Sequence, residues 1–488
     1  MHGLSKSRIV AHRQCPRRLW LQVNHPELAE EGDGSSTRFA TGNQVGDIAR
    51  TLHPGGVLID TNDLKQALAD TARLLQEAPR PLFEATFQAD GVLVQADLLL
   101  PDGKAWRMAE VKSSSRVKDY HLTDAAVQTW VARQAGVPIS RIEIAHIDTS
   151  FIYPGKGDYR GLLVHSDITE QVKTQEGEVP GWIASARVTL DGADPQTPPG
   201  PQCHDPFDCP FFGHCVPHNE KEDGYPPEIL PHSGKLADTL RSEGYADIRH
   251  IPEGRLSKPK HVRIWQATRN NEVILDPAAA KELCRLGWPR YYLDFETIQF
   301  AVPIWAGTRP YAQIPFQWSC HIEQQDGAVA HLEHLADGSG DPRRAFAESL
   351  LTAVGISGPI LVYNAAFERS RMRELAADFP ELTQALETAI ERIVDLLPIA
   401  REHYYHPDMR GSWSIKAVLP TIAPDLAYDT LEVADGGMAQ EAFTEMIQPE
   451  TTPDRKAFLY NALLKYCERD TWAMVRVARY FQGGPHAE

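Results

Sequence analysis

The chain has 488 residues, 42% hydrophobic and 24% charged, which suits a folded protein of about three domains and excludes a disordered or fibrous one. Its 49 basic against 66 acidic residues, a formal charge of −17, exclude a passive nucleic-acid coat. They do not exclude a nuclease, whose metal-binding carboxylates add negative charge that cations offset. No apolar run nears the ~18 residues of a membrane span, and the N-terminal residues lack the apolar core of a signal peptide. A cytoplasmic, reducing location with no membrane partner is expected, where thiols favour metals over disulfides.

In chain order, residues 4–24 read as a basic helix opened by Ser5 and carrying Lys6, Arg8, Arg13, Arg17 and Arg18. Helices over 38–52 and 62–77 follow, the latter with a clean 3.6-residue period. The period then becomes that of strands: 83–87, 92–100 and 106–112 read as a meander, and a helix over 119–135 and a strand over 141–148 complete an α/β core. Next comes a segment with three evenly spaced cysteines, Cys203, Cys209 and Cys215. It cannot be a regular helix or strand, because Pro206 and Pro210 remove donors and fix φ. A metal centre can order it, and Cys15 is the candidate for a fourth ligand. That pairing ties the start of a domain to its end and marks out residues 1–222. Zinc and iron–sulfur clusters both take four cysteines. The C-x5-C-x5-C spacing with a distant fourth lacks the short pairs of zinc sites and favours a [4Fe–4S] cluster. Cys284, Cys320 and Cys467 are expected to be ordinary buried thiols.

Residues 223–286 read as a small helical spacer, with helices near 234–244 and 260–268. Its run of cations, Arg255, Lys258, Lys260, Arg263 and Arg269 with Trp265 among them, suits contact with a nucleic-acid backbone, or else a solvated loop face. Residues 287–488 read as a second α/β unit. Strands are expected at 291–295, 315–323, 328–335 and 359–363, helices at 342–354, 366–377 and 381–392, and a long final helix over 454–481. No G-x-x-x-x-G-K-[ST] phosphate loop occurs, which excludes a P-loop helicase.

Two constellations carry chemistry. In the first, Glu110 and Lys112 lie two apart on a strand and so share a face, with Asp97 on the neighbouring strand and Gln128 on the following helix. Two carboxylates can hold Mg²⁺ or Mn²⁺, and the lysine can position a water and offset developing phosphorane charge. Asp97, Glu110-Val111-Lys112 and Gln128 resemble the PD-(D/E)XK motif of RecB-like nucleases. With the four cysteines, residues 1–222 resemble the iron–sulfur branch of that family, which includes CRISPR-associated and AddB-like nucleases. The resemblance implies a restriction-endonuclease-like fold, DNA cleavage with a divalent metal, and a cluster that staples the domain. The family's metal-binding histidine falls at Gly46, beside Asp47, and its aromatic after the glutamine is Ala132, with Trp130 close by. Glu84, on the first strand, is a further carboxylate available to the site.

In the second constellation, Asp294 and Glu296 share a strand face, Glu368 opens a helix after Asn364, and Tyr466 and Asp470 share a face of the last helix. Acids gathered this way repel unless cations sit between them, which is the logic of a two-metal site. These motifs resemble the DEDD exonucleases, the DnaQ-like branch of the ribonuclease H fold, in the tyrosine form, with Glu368 in place of the usual aspartate. The resemblance implies 3′-to-5′ hydrolysis. Both resemblances together point to an α/β nuclease of two sites acting on DNA, single strands or duplex ends, in repair, recombination or defence, with a separate helicase as a conceivable partner. The alternatives are a nucleic-acid-binding or scaffolding protein with decayed sites, and an RNA-processing exonuclease.

Overall fold

The structure is a computed structural model that describes residues 3–30, 35–216, 224–426, 428 and 430–483. It is mixed α/β, and its contacts divide the chain into two compact units. The first holds 1–219 with 300–312, and the second holds 220–299 with 313–488. The stretch read as a spacer thus falls inside the second unit.

The first unit is built on a seven-stranded sheet. Its strands are β1 (Leu4–Ser5), β2 (Val57–Leu58), β3 (Leu82–Ala89), β4 (Val92–Asp102), β5 (Ala105–Lys112), β6 (Ile139–Ile147) and β7 (Leu163–Asp167). The order is β2-β3-β4-β5-β6-β7, with β1 pairing β4. β3 turns into β4 through Asp90-Gly91, both at positive φ, the two-residue turn whose twist matches a hairpin. The helices are α1 (Lys6–Gln14), α2 (Pro16–Asn24), α3 (Ser35–Thr51), α4 (Leu64–Leu74), α5 (Asp119–Gln134), α6 (Thr169–Glu176), α7 (Val179–Asp191) and the short α8 (Phe212–Cys215). α5 packs across β3, β4 and β6, and α1 packs on α5 and α7. The core between them is aliphatic: Leu82, Val94, Leu99, Met108, Val127, Val131, Ile142 and Ile144.

The helix expected over 4–24 is two helices. Pro16 disfavours helical geometry at the residue before it. Cys15 accordingly sits extended, at φ −160° and ψ 122°, between α1 and α2.

The second unit opens with α9 (Gly234–Ser242), α10 (Pro259–Asn270), β8 (Ile274–Leu275) and α11 (Ala278–Cys284). Its main strands are β9 (Arg290–Ile298), β10 (Ile314–Glu323), β11 (Val329–Leu335), β12 (Ile360–Val362) and β13 (Ile393–Asp395), in the order β11-β10-β9-β12-β13. The first three are antiparallel, and β9, β12 and β13 are parallel. α12 (Arg343–Val354), α13 (Ala366–Asp378), α14 (Thr383–Glu391), α15 (Leu396–His403), β14 (Tyr404–Tyr405), α16 (Ile415–Ile422), α17 (Gly436–Ile447) and α18 (Pro453–Phe481) complete it. The pleat sorts the central strands into two faces. Leu293, Phe295, Trp318 and Cys320 point into the core with Phe346, Leu350 and Met372. The alternate residues Asp294, Glu296, Gln317, Ser319 and His321 are left for the face on which α17 and α18 pack.

Cys320 and Cys467 are buried as expected, whereas Cys284 is exposed, because it ends the short α11.

Candidate active sites

In the second unit, the carboxylates of Asp294, Glu296 and Asp470 lie within 4.8 Å of one another. The pleat of β9 presents the first two, and α18 lays Asp470 across them. Glu368, at the start of α13, is 2% exposed and electrostatically coupled to Asp294 but stands outside this close set. Its Oε2 is buried with no hydrogen-bond partner. Burial, then Asp470, Glu296 and Glu368, pushes Asp294 well above the ordinary carboxylate range. Burial and Asp470 push Glu296 up to about 8, and burial pushes Glu368 up to about 8. Asp470 reaches only about 6: burial raises it, while the Tyr428 hydroxyl, donating at 2.5 Å, and Lys416 hold it back. Burial, then Asp470, also drives the Tyr466 hydroxyl far above its usual value, so it keeps its proton and can donate a hydrogen bond. Tyr428 and Lys416 carried no sequence signal. Lys416 donates to the Ala434 carbonyl at 2.8 Å and stands over the Tyr428 and Tyr466 rings.

A carboxyl raised by folding binds its proton more tightly in the folded than in the unfolded chain. Between the unfolded value near ~4 and the folded value near 8, folding takes up protons, so stability falls as pH rises through that window. The metal-free protein should therefore melt lower at pH 8 than at pH 6, and Asp294→Asn should flatten that fall. Calorimetry in the presence of a chelator checks this; a melting temperature that climbs equally in both proteins would contradict it.

The first unit's acid cluster is compensated differently. Glu110 is 4% exposed, and its Oε1 accepts from Lys6 Nζ at 2.5 Å and Lys112 Nζ at 2.9 Å. Its Oε2 accepts from Gln128 Nε2 at 2.5 Å, and Gln128 also donates to the Gln95 carbonyl at 2.9 Å. Lys112 reaches Asp124 at 2.9 Å, and Asp97 accepts from the Val111 amide at 2.7 Å. Burial raises Glu110, but Lys6 and Lys112 outweigh it and hold the carboxyl well below its usual range. Asp97, raised by burial and by Glu110, stands at about 7. Glu84 turns through a left-handed φ of 56°, a conformation that favours glycine, and its carboxyl is coupled to Arg50 and Glu110. At Gly46, where the sequence resemblance placed a metal-binding histidine, an added Cβ would stand 3.8 Å from the Arg50 guanidinium.

The expected residues Asp97, Glu110, Lys112 and Gln128 thus meet, joined by Lys6 and Asp124. However, the Lys6 ammonium stands on a Glu110 oxygen that was expected to help hold a divalent ion. Removing that ammonium should open the site. With Asp294→Asn silencing the other acid cluster, Lys6→Ala is expected to gain about one Mn²⁺ equivalent by calorimetry, because carboxylates stripped of their cation prefer a hard divalent one. An unchanged Mn²⁺ isotherm would contradict this.

Cys15, Cys203, Cys209 and Cys215 line one small pocket with Arg17 and Arg18. The Cys209 amide donates to the Cys203 carbonyl at 2.7 Å. Gln14 Nε2 donates to the carbonyls of Gln202 and Phe207 at 2.8 and 2.6 Å, fastening the loop to α1. Arg17 pairs with Asp194 at 3.1 Å. The four sulfurs share the pocket without drawing into a close group.

Part of the expected nucleic-acid patch is spent on contacts within the chain. Trp265 is 7% exposed and donates to the Ile251 carbonyl at 3.0 Å. Arg263 donates to the carbonyls of Arg401 and Glu402, Arg255 pairs with Glu243 at 2.7 Å, and Arg269 stacks over Trp265. Lys258, Lys260 and Arg269 stand exposed with no ion pair among the described residues. The reason is local: His261, Ile264, Trp265 and Thr268 form the buried stripe of α10.

Residues 291–414 match a domain of unknown function, DUF2779, a stretch that includes Asp294, Glu296 and Glu368 but not Tyr466 or Asp470. The chain is 27% identical over 279 residues to the uncharacterized protein UU173 of Ureaplasma parvum serovar 3, covering 52% of this chain and 40% of that protein. It is 26% identical over 215 residues to the uncharacterized MG366 homolog of Mycoplasma pneumoniae, covering 40% of this chain and 32% of that one. The chain thus spans less than half the length of these relatives.

Proposed function

We propose that this chain is a metal-dependent nuclease whose hydrolytic site is the Asp294, Glu296, Glu368 and Asp470 cluster. The observation that carries the proposal is the convergence of three carboxylates, Glu296 and Asp470 buried and Asp294 half-buried, with no lysine or arginine in an ion pair with them among the described residues. Four acids at raised pKa are costly to ionise in one place unless cations join them, and the orphaned Glu368 Oε2 is an oxygen still lacking a partner. The donor set is all oxygen, which suits Mg²⁺ or Mn²⁺. When bound, such ions supply Lewis-acid stabilisation of phosphoryl charge and an acidified water. The chain's residues do the rest. Asp294 and Glu296, fixed by β9, and Asp470, fixed by α18, anchor the cations. Tyr428 orients Asp470. Tyr466, protonated and beside Asp470, orients a water or a phosphate oxygen by donating to it. The sheet order, with three antiparallel strands followed by two parallel ones on the far side of β9, supports a ribonuclease-H-like, DnaQ-like assignment, from which the 3′-to-5′ direction follows.

The first unit enters the proposal as a restriction-endonuclease-like, RecB-like domain. Support comes from the β3-β4-β5 meander, α5 and the parallel β6, with Asp97, Glu110, Lys112 and Gln128 at the family's places. Its acid site is latched by Lys6 rather than primed for a metal, so cleavage is assigned to the second unit. The thiol pocket supports the [4Fe–4S] assignment. Arg17 and Arg18 supply positive charge for an anionic thiolate cluster.

The test is a 5′-labelled single strand, as DNA and as RNA, incubated with Mg²⁺ or Mn²⁺. A ladder shortening from the 3′ end is expected. Activity that survives chelation, or products released only from the 5′ end, would overturn the assignment.

A further inference from the structure

One strand away from the acid cluster lies a second set of metal-ligand side chains with different chemistry. His321 on β10 and His331 on β11 are direct cross-strand partners, with rings stacked at 4.5 Å. Glu468 on α18 completes a group in which one atom from each residue lies within 4.8 Å of the others, and Glu468 Oε1 stands 3.9 Å from His331 Nδ1.

The hydrogen bonds behind the rings decide how they present themselves. His321 Nδ1 lies 2.8 Å from Thr471 Oγ1, His331 Nε2 lies 2.8 Å from Ser319 Oγ, and the two hydroxyls are 2.8 Å apart. The Thr471 hydroxyl also has two backbone acceptors in reach, the Glu468 carbonyl at 3.1 Å and the Cys467 carbonyl at 3.4 Å. A hydroxyl has one proton to give. With Thr471 giving its proton to the backbone, it must accept from Ser319 and from His321 Nδ1–H. Ser319, giving its proton to Thr471, must accept from His331 Nε2–H. That arrangement sets both tautomers and makes His321 Nε2 and His331 Nδ1 bare lone pairs. This is how proteins orient metal-binding imidazoles, with the far ring nitrogen donating to an outer partner.

We infer that His321, His331 and Glu468 form a binding site for a zinc-like transition-metal ion, separate from the catalytic acids. Two imidazole nitrogens and one carboxylate suit Zn²⁺ and leave a position for water, whereas the all-oxygen set beside it suits Mg²⁺ or Mn²⁺. The ion would join the β10–β11 hairpin to α18 between Tyr466 and Asp470, fixing the register of the helix that carries both. The inference does not depend on the hydrolytic assignment: the site can bind zinc whether or not the chain cuts nucleic acid.

The experiment uses the full chain carrying Asp294→Asn, with its thiol cluster assembled, titrated with Zn²⁺ against a chromophoric chelator. About one equivalent is expected to bind, and to be lost in the same protein with His331→Gln. Co²⁺ in its place should give ligand-field absorption without a thiolate charge-transfer band. Glu468 is half exposed, so Glu468→Gln leaves the fold intact and decides the matter should His331→Gln misfold; it is expected to weaken Zn²⁺ binding by about tenfold or more. Equal zinc stoichiometry and affinity in the parent and in Glu468→Gln would overturn the inference.

Discussion

Asp294→Asn is expected to abolish hydrolysis by the second unit. The substitution keeps the shape of the side chain, so β9 and its packing should persist, but it removes the charge shared by the cluster. Losing the several kcal/mol of transition-state stabilisation that a bound metal provides corresponds to about 10³-fold or more in rate. Tyr466→Phe on the same substrate separates chemistry from metal binding. It removes one hydroxyl that is buried, on a side chain 4% exposed. Turnover should fall by about 10²–10⁴ with metal affinity little changed. Rates are read from the initial slope of the 3′ ladder, and metal binding from calorimetry. Wild-type rates in Asp294→Asn would place the chemistry elsewhere in the chain.

The strands bearing the acids were legible because each motif is local. Asp294 and Glu296 sit on one run of alternating residues, and Tyr466 and Asp470 are one helical turn apart. What the sequence hid are contacts made across the chain. Lys6 meets Glu110 from 104 residues away, and Tyr428 meets Asp470 from 42 away, and no spacing rule connects either pair. The two-helix break at Cys15 was written in Pro16 and needed only the restriction that proline places on the residue before it. Trp265 fell the other way. Its charged neighbours suggested a binding face, while the 261, 264, 265, 268 spacing already marked a helix stripe facing a core. Charge is visible in a sequence, but which charges are spent on internal carbonyls and carboxylates, as Arg263 and Arg255 are, is decided by packing.

Cys209→Ala is expected to cost the first unit its staple. Cys15 lies at the junction of α1 and α2, and the other three cysteines lie beyond α7, so a shared cluster closes nearly the whole unit on itself. By the chain-entropy estimate, one cross-link closing about 190 residues is worth about 5 kcal/mol, a large share of the stability of an ordinary domain. α1 also carries Lys6 at its first residue, so loosening its far end at Cys15 should loosen the latch on Glu110 as well. Protein purified without oxygen should be brown, with about four irons per chain, and the variant should lose both colour and iron. Limited proteolysis should then cut within 3–216 or 300–312 and spare 313–483, which belongs to the second unit with its own core. One zinc and no iron in the wild-type protein would replace the cluster assignment with a zinc site. An iron-loaded Cys209→Ala protein of unchanged protease resistance would remove the staple altogether.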